Sequence, residues 1–127
     1  MYQIEKLEEN KFYIKATGTF PPPVAKRFVK EFRELTENAK NDLCIIVDIT
    51  DAILLKFDSI EILLELLKEN NKKLYRSAFI IERNPPLSKE MKYILEKAAS
   101  PKRKIVSNLE EAKEWIGIEE LIIKKKD

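Results

Sequence analysis

Leu43-Cys44-Ile45-Ile46-Val47-Asp48, followed by a loop and by a helical stretch that opens near Asp58 and runs to Asn70, is the segment around which the rest of the chain is arranged. Its first five residues are all apolar, and Ile45, Ile46 and Val47 are β-branched. Such a run reads as a strand covered on both faces, as the central strand of a parallel α/β sheet is. Asp48 and Asp51 fall where that strand ends. In open α/β sheets ligands bind in the crevice beyond the carboxyl ends of the strands, so these acids are the first candidates for a site.

Working back toward the start, Tyr2 to Glu8 and Lys11 to Thr17 read as an antiparallel hairpin turning at Glu9-Asn10, because Phe12, Ile14 and Ala16 alternate with more polar neighbours. Gly18-Thr19-Phe20 leads into Pro21-Pro22-Pro23, which suits the first turn of a helix. Val24, Phe28, Phe32 and Leu35 then recur at helical spacing as one buried stripe, and the helix is expected to end near Lys40.

Working forward, the loop from Thr50 to Phe57 carries the apolar run Ala52-Ile53-Leu54-Leu55. Asp58 reads as a helix N-cap, with Glu61 reaching back to its amide and Phe57 packing on Ile62, and Ile60, Leu63, Leu64 and Leu67 supply the core face. Tyr75 to Ile81 reads as a strand, and Asn84-Pro85-Pro86 precedes a helix whose stripe is Leu87, Met91, Ile94, Leu95 and Ala98. Ser100-Pro101 breaks that helix, Ile105-Val106 makes a short strand, and Ser107 or Asn108 caps a last helix with Leu109, Ala112, Trp115 and Ile116 inward. The order is β-β-α-β-α-β-α-β-α. Helical connections imply right-handed crossovers, hence a mostly parallel central sheet with an antiparallel N-terminal strand. Residues 1–117 form one expected domain and residues 118–127, Ile118 to Asp127, an apolar and basic tail.

The chain has 127 residues, 44% hydrophobic and 36% charged, which suits a single domain with a heavily charged exterior. Its 24 basic and 22 acidic residues leave a formal charge of +2, so no global field favours nucleic acid or an anionic membrane. There is no histidine and one cysteine, which removes the usual metal ligands, the usual general base near neutrality and any internal disulfide. The two glycines, Gly18 and Gly117, form no phosphate-cradling loop. No apolar run approaches the ~20 residues of a membrane span and the start of the chain has no signal-peptide core, so a cytoplasmic protein without cofactor is expected.

Asp48, Asp51, Glu82 and Ser107 are placed to meet at the carboxyl edge of the sheet, where acids can serve as acid and base or hold Mg²⁺. The run Ala52 to Leu55 either faces a partner or folds inward as core. Lys102-Arg103-Lys104 and Lys124-Lys125-Lys126 read as solvated charge, since no aromatic residues interleave them for base stacking. Cys44 reads as a small core residue, and Trp115 as the residue that closes the core under the last helix.

The element order, the strand Ile45-Ile46-Val47-Asp48, the Asp58-Ser59 pair opening the next helix and the ending Val106-Ser107-Asn108-Leu109-Glu110-Glu111-Ala112-Lys113-Glu114-Trp115-Ile116 together resemble a STAS domain, most of all its SpoIIAA-like branch. The resemblance covers nearly the whole chain and implies an α/β sandwich. In anti-sigma factor antagonists of that branch a serine after an aspartate at this helix start is phosphorylated by a partner kinase, and the matching residues are Asp58 and Ser59. The family continues with a small residue and Gly-Leu-Gly, where this chain has Ile60-Glu61-Ile62. The resemblance implies a non-catalytic regulatory or protein-interaction module. Its partner is expected to be a protein, or a second copy in a homodimer, meeting Asp48, Asp51, Leu54, Leu55, Phe57 and Asp58. The alternatives are a carrier or sensor of a small apolar or lipid-like ligand, and a carboxylate-based enzyme.

Overall fold

Alternation of inward and outward side chains shapes the first two strands, β1 (Tyr2–Glu8) and β2 (Lys11–Ala16), of the computed structural model, which describes residues 2–40, 42–52, 57–81, 85–98 and 102–117. Asn10, in the turn between them, takes a φ of 58, a left-handed conformation that asparagine tolerates. The remaining elements are α1 (Pro22–Leu35), β3 (Leu43–Asp48), α2 (Phe57–Asn70), β4 (Leu74–Ile80), α3 (Pro85–Ala98), β5 (Arg103–Val106) and α4 (Leu109–Ile116). The sheet order is β1-β2-β3-β4-β5, with β1 and β2 antiparallel and every later pair parallel. β3 lies at the centre between β2 and β4, as its unbroken apolar run requires.

The pleat divides β3 between two cores. Ile45 joins Phe12, Ile14, Phe28, Phe32 and Leu66 under α1 and α2. Further along the same face Val47 and Phe79 meet Ile60 and Ile94 of α2 and α3. Cys44 and Ile46 face the other way, against Ala78, Val106, Ala112 and Ile116, so that among the described residues α4 is the helix that covers β4, β5 and part of β3 on the second face. On that face β1 and β2 carry the polar Gln3, Glu5, Lys11 and Lys15 beside Tyr13.

Several boundaries differ from the sequence expectation. α1 ends at Leu35, well before Lys40: Thr36 leaves the helical conformation at φ −106 and ψ 10 with its hydroxyl donating to the Phe32 carbonyl, and the Ala39 amide turns back onto the Thr36 carbonyl. Leu35, the last residue of α1, is 44% exposed and lies outside the buried stripe, which Ala25, Phe28, Val29 and Phe32 make. α2 starts at Phe57, which puts Asp58 in the first turn, where a carboxylate still complements the positive end of the helix. Leu66, absent from the expected stripe, is the most deeply buried leucine of α2. β5 opens at Arg103, two residues earlier than its apolar pair suggested. α4 matches: the Asn108 side chain accepts from the Glu111 amide, and Gly117 closes the helix at a φ of 78, which a side chain would strain. The tail, residues 118–127, lies outside the described residues.

Candidate functional site

Two regions hold the candidate residues. The first is the carboxyl edge of the sheet. There Gly18, at a left-handed φ of 70, donates its amide to the Asp51 carbonyl at 3.1 Å and bridges to Ala52, tying the chain after β2 to the chain after β3. Ala52 is thereby buried, so the apolar run begins by folding inward. Ile53, Leu54 and Leu55 lie outside the described residues, as do Glu82 and the side chain of Phe57.

Asp48 is half-buried at the end of β3, accepting from the Tyr13 hydroxyl at 3.1 Å through Oδ2 and from the Thr50 amide at 3.1 Å through Oδ1. Asp51 is largely exposed, with Lys15 Nζ 3.9 Å away, and Asp58 and Ser107 are exposed. The expected convergence therefore holds one acid locked by hydrogen bonds and another open to solvent, and the described residues contain no group of three or more His, Cys, Asp or Glu side chains placed to hold a metal. Ser59 sits in the first turn of α2 with its hydroxyl fully buried and without a hydrogen-bond partner among the described residues. A kinase reaches that oxygen only if the turn opens.

Burial and the neighbouring Asp48 carboxylate push the Tyr13 phenol well above the usual tyrosine range, while burial raises the Cys44 thiol. Folded Tyr13 thus keeps its proton where the unfolded chain has released it. The stability it contributes is complete below the ordinary tyrosine pKa of about 10 and is lost as pH rises beyond it. Comparing urea midpoints of the native protein and Tyr13→Phe between about pH 8 and 11 is expected to show the native protein's advantage shrinking as pH climbs. An advantage independent of pH contradicts the raised phenol.

The second region is a cavity of about 100 Å³ between the sheet and the helices α1 to α3. It extends from the level of Ile45, Ser77 and Arg103 to that of Ile49 and Ala52, roughly 13 Å at the rise of a strand, and its walls are mostly aliphatic and aromatic. Arg103 corrects the reading of Lys102-Arg103-Lys104 as solvated charge: it is only 7% exposed, because the pleat turns it inward between its outward neighbours. Arg103 Nη2 donates to the Leu67 carbonyl at 2.9 Å and to Asn71 Oδ1 at 3.3 Å, at the negative end of α2. Sequence reasoning missed both Arg103 and Ser77 as site residues. Counting alternate positions back from Ile105 and Phe79 would have found them.

On the second face Trp115 closes the core as expected, though only partly buried. Its indole N–H donates to the Ser77 carbonyl at 3.0 Å, and Arg76 and Lys104 lie over its ring at 4.5 and 5.4 Å from the centroid.

Among the described residues no helix is long and apolar enough to cross a membrane. No family model matches the sequence, and no curated protein matches it. Solved structures do. A protein of the DUF3478 family with a SpoIIAA-like fold, from Shewanella loihica PV-4, aligns with a TM-score of 0.70 at 17% identity, over 91% of this chain and 92% of its own. An anti-sigma factor antagonist from Mycobacterium paratuberculosis aligns with a TM-score of 0.67 at 9% identity, over 92% of this chain and 93% of its own. The anti-sigma factor antagonist SpoIIAA in its unphosphorylated form aligns with a TM-score of 0.61 at 12% identity, over 87% of this chain and 92% of its own. With the same α/β order and one antiparallel strand at the start of a parallel sheet, this chain has the SpoIIAA-like fold.

Proposed function

We propose that the chain is a non-catalytic regulatory module that works by binding a protein partner at the carboxyl edge of its sheet. The observation that carries this reading is the fold shared, over about nine tenths of the chain, with two anti-sigma factor antagonists. The engagement of Asp48 by Tyr13 and Thr50 also favours it, since a carboxylate held by two donors is a structural acid more than a reactive one. Asp51 and Asp58, both exposed, are the groups a partner meets, with Leu54, Leu55 and Phe57 as its apolar contacts. A second copy of the chain is one such partner. Control by phosphate at Ser59 belongs to the same proposal and works by opening the first turn of α2, which would unseat its N-terminal end at this edge.

The test is site-specific photocrosslinking in the source cells. A crosslinking side chain at position 51 or 58 is expected to give one protein adduct, and the same group at Glu37, exposed at the opposite end of the sheet, none. Equal adducts at all three positions, or none at any, reject the surface.

A second reading, a carrier or sensor of a small apolar molecule, is favoured by the cavity under α1 to α3. A lipid carrier calls for several hundred Å³. At about 100 Å³ this cavity suits a molecule of a few heavy atoms, since an apolar cavity of about 150 Å³ accepts benzene.

A further inference from the structure

At the amino edge of the sheet, on the face that α4 covers, the register of β3 and β4 slips by one residue. Leu43 faces Leu74 and Cys44 faces Arg76, which leaves Tyr75 unopposed. A bulge of this kind re-aims the side chains around it. Leu74 stays in the first core, Tyr75 is pushed out to 50% exposure, and Arg76 takes the second face beside Cys44 and Ala78. Without the extra residue, strand alternation would turn Arg76 inward.

On the second face Arg76 meets Trp115. Its guanidinium lies 4.5 Å from the centre of the indole and 5.4 Å from that of the Tyr75 ring, and its Nη1 donates to the Trp115 carbonyl at 2.8 Å. Lys104, exposed on β5 as the register partner of Ala78, holds its Nζ 5.4 Å from the same indole. One tryptophan thus steadies two cations, which lie no farther apart than those two distances together. None of the ion pairs among the described residues includes Arg76 or Lys104. Of the acids on α4, Glu110 pairs with Lys113, Glu111 accepts from the Ser107 amide, and Glu114 is exposed and pairs with neither cation.

Holding long side chains in one geometry is what costs an exposed ion pair much of its gain. Here the stacking on Trp115 has already ordered both side chains, so an incoming anion meets them prepared. Two carboxylates at alternate positions of an extended segment stand about 7 Å apart, a spacing these two cations can match. Nucleic acid fits less well. Single strands bind by stacking successive bases on open rings, whereas the Trp115 ring already carries two cations and only Tyr75 is left open. A lipid surface calls for a denser basic cluster than two cations.

We propose that Tyr75, Arg76 and Lys104, steadied by Trp115, form a docking surface for an extended acidic segment of a partner protein, two of whose carboxylates meet Arg76 and Lys104 as the segment crosses the Tyr75 ring. The surface lies at the opposite edge of the sheet from Asp51 and stands whether or not the carboxyl edge binds a partner.

Trp115 is the one tryptophan of the chain, so its emission reports on this surface. The experiment is a fluorescence titration of the full chain with a blocked peptide of alternating glutamate and serine. Its comparators are the same peptide with glutamine for glutamate, a uridine oligonucleotide, and vesicles of phosphatidylserine and phosphatidylcholine. The glutamate peptide is expected to shift the emission, to bind about ten-fold or more tightly than the glutamine peptide, and to weaken as salt rises. Lys104→Gln and Arg76→Gln are each expected to weaken it several-fold, and Asp51→Ser to leave it unchanged. Because Arg76 also holds the end of α4, Arg76→Gln can disturb that helix, and Lys104→Gln at its exposed position then decides. Equal affinity for the two peptides, or an affinity indifferent to Lys104→Gln, overturns the acidic partner. Tighter binding of the oligonucleotide or of the vesicles overturns it too, and assigns the cations to nucleic acid or to a lipid surface. An emission unmoved by every probe overturns the docking surface itself.

Discussion

Ile46→Ala is expected to cost about 2–5 kcal/mol of stability, because removing a buried isoleucine side chain loses its burial and leaves a hole the surroundings refill only in part. Ile46 is 0% exposed in the middle of β3 and packs against Ala78, Ala112 and Ile116, two of them too small to move in. For a domain of this size the loss lowers the melting temperature on the order of 10 °C. It also weakens the only described helix on the second face, so α4 amides are expected to lose hydrogen-exchange protection before those of α1. Tyr93→Ala, at a position 45% exposed, serves as the control and is expected to change stability by no more than about 0.5 kcal/mol. An Ile46→Ala cost below about 1 kcal/mol would contradict the placement of β3 at the centre of a sheet covered on both faces.

Phe32→Ala is expected to have an effect of similar or larger size, about 3–5 kcal/mol. Phe32 is 2% exposed, stacks on Phe28 at 5.7 Å between centroids and meets Phe12 edge-on at 6.2 Å, so one truncation removes two aromatic contacts together with the burial. It also lines the cavity, which the substitution enlarges. The melting temperature is therefore expected to fall sharply and to recover in part when benzene is added, since binding to the folded state alone stabilises it. A sharp fall without recovery shows that the site collapses. An unchanged melting temperature contradicts the seating of α1 on β2.

The architecture was legible because its signals are local and periodic. The five apolar residues of Leu43 to Val47 marked the centre of the sheet, the alternation in Phe12, Ile14 and Ala16 marked a hairpin strand, and Asn108 with Gly117 marked both ends of α4. Where the sequence misled, a competing local bond decided. The helix of Val24, Phe28 and Phe32 was expected to run to near Lys40, yet Thr36 leaves it with its hydroxyl on the Phe32 carbonyl, and the Ala39 amide turns back onto the Thr36 carbonyl. The site was less legible. Asp48 stood where an acid should, but its partner Tyr13 comes from another strand, so the bond that holds it is invisible along the chain. Arg103 looked solvated between two lysines, and only the register of β5 against β4 shows it inside, beside Ser77. Burial at Ser59 is likewise a tertiary fact: Asp58-Ser59 reads as a helix start along the chain, and only the packing puts the hydroxyl beneath the first turn of α2.

Native mass spectrometry of the protein taken gently from its source cells tests most directly whether it acts by holding a protein partner. The account predicts a species heavier than the 14.9 kDa chain by the mass of one protein, which the charge reversals Asp51→Arg and Asp58→Arg reduce to the bare chain while the melting temperature stays unchanged. A chain found only as the bare monomer, or a complex indifferent to both reversals, would contradict it.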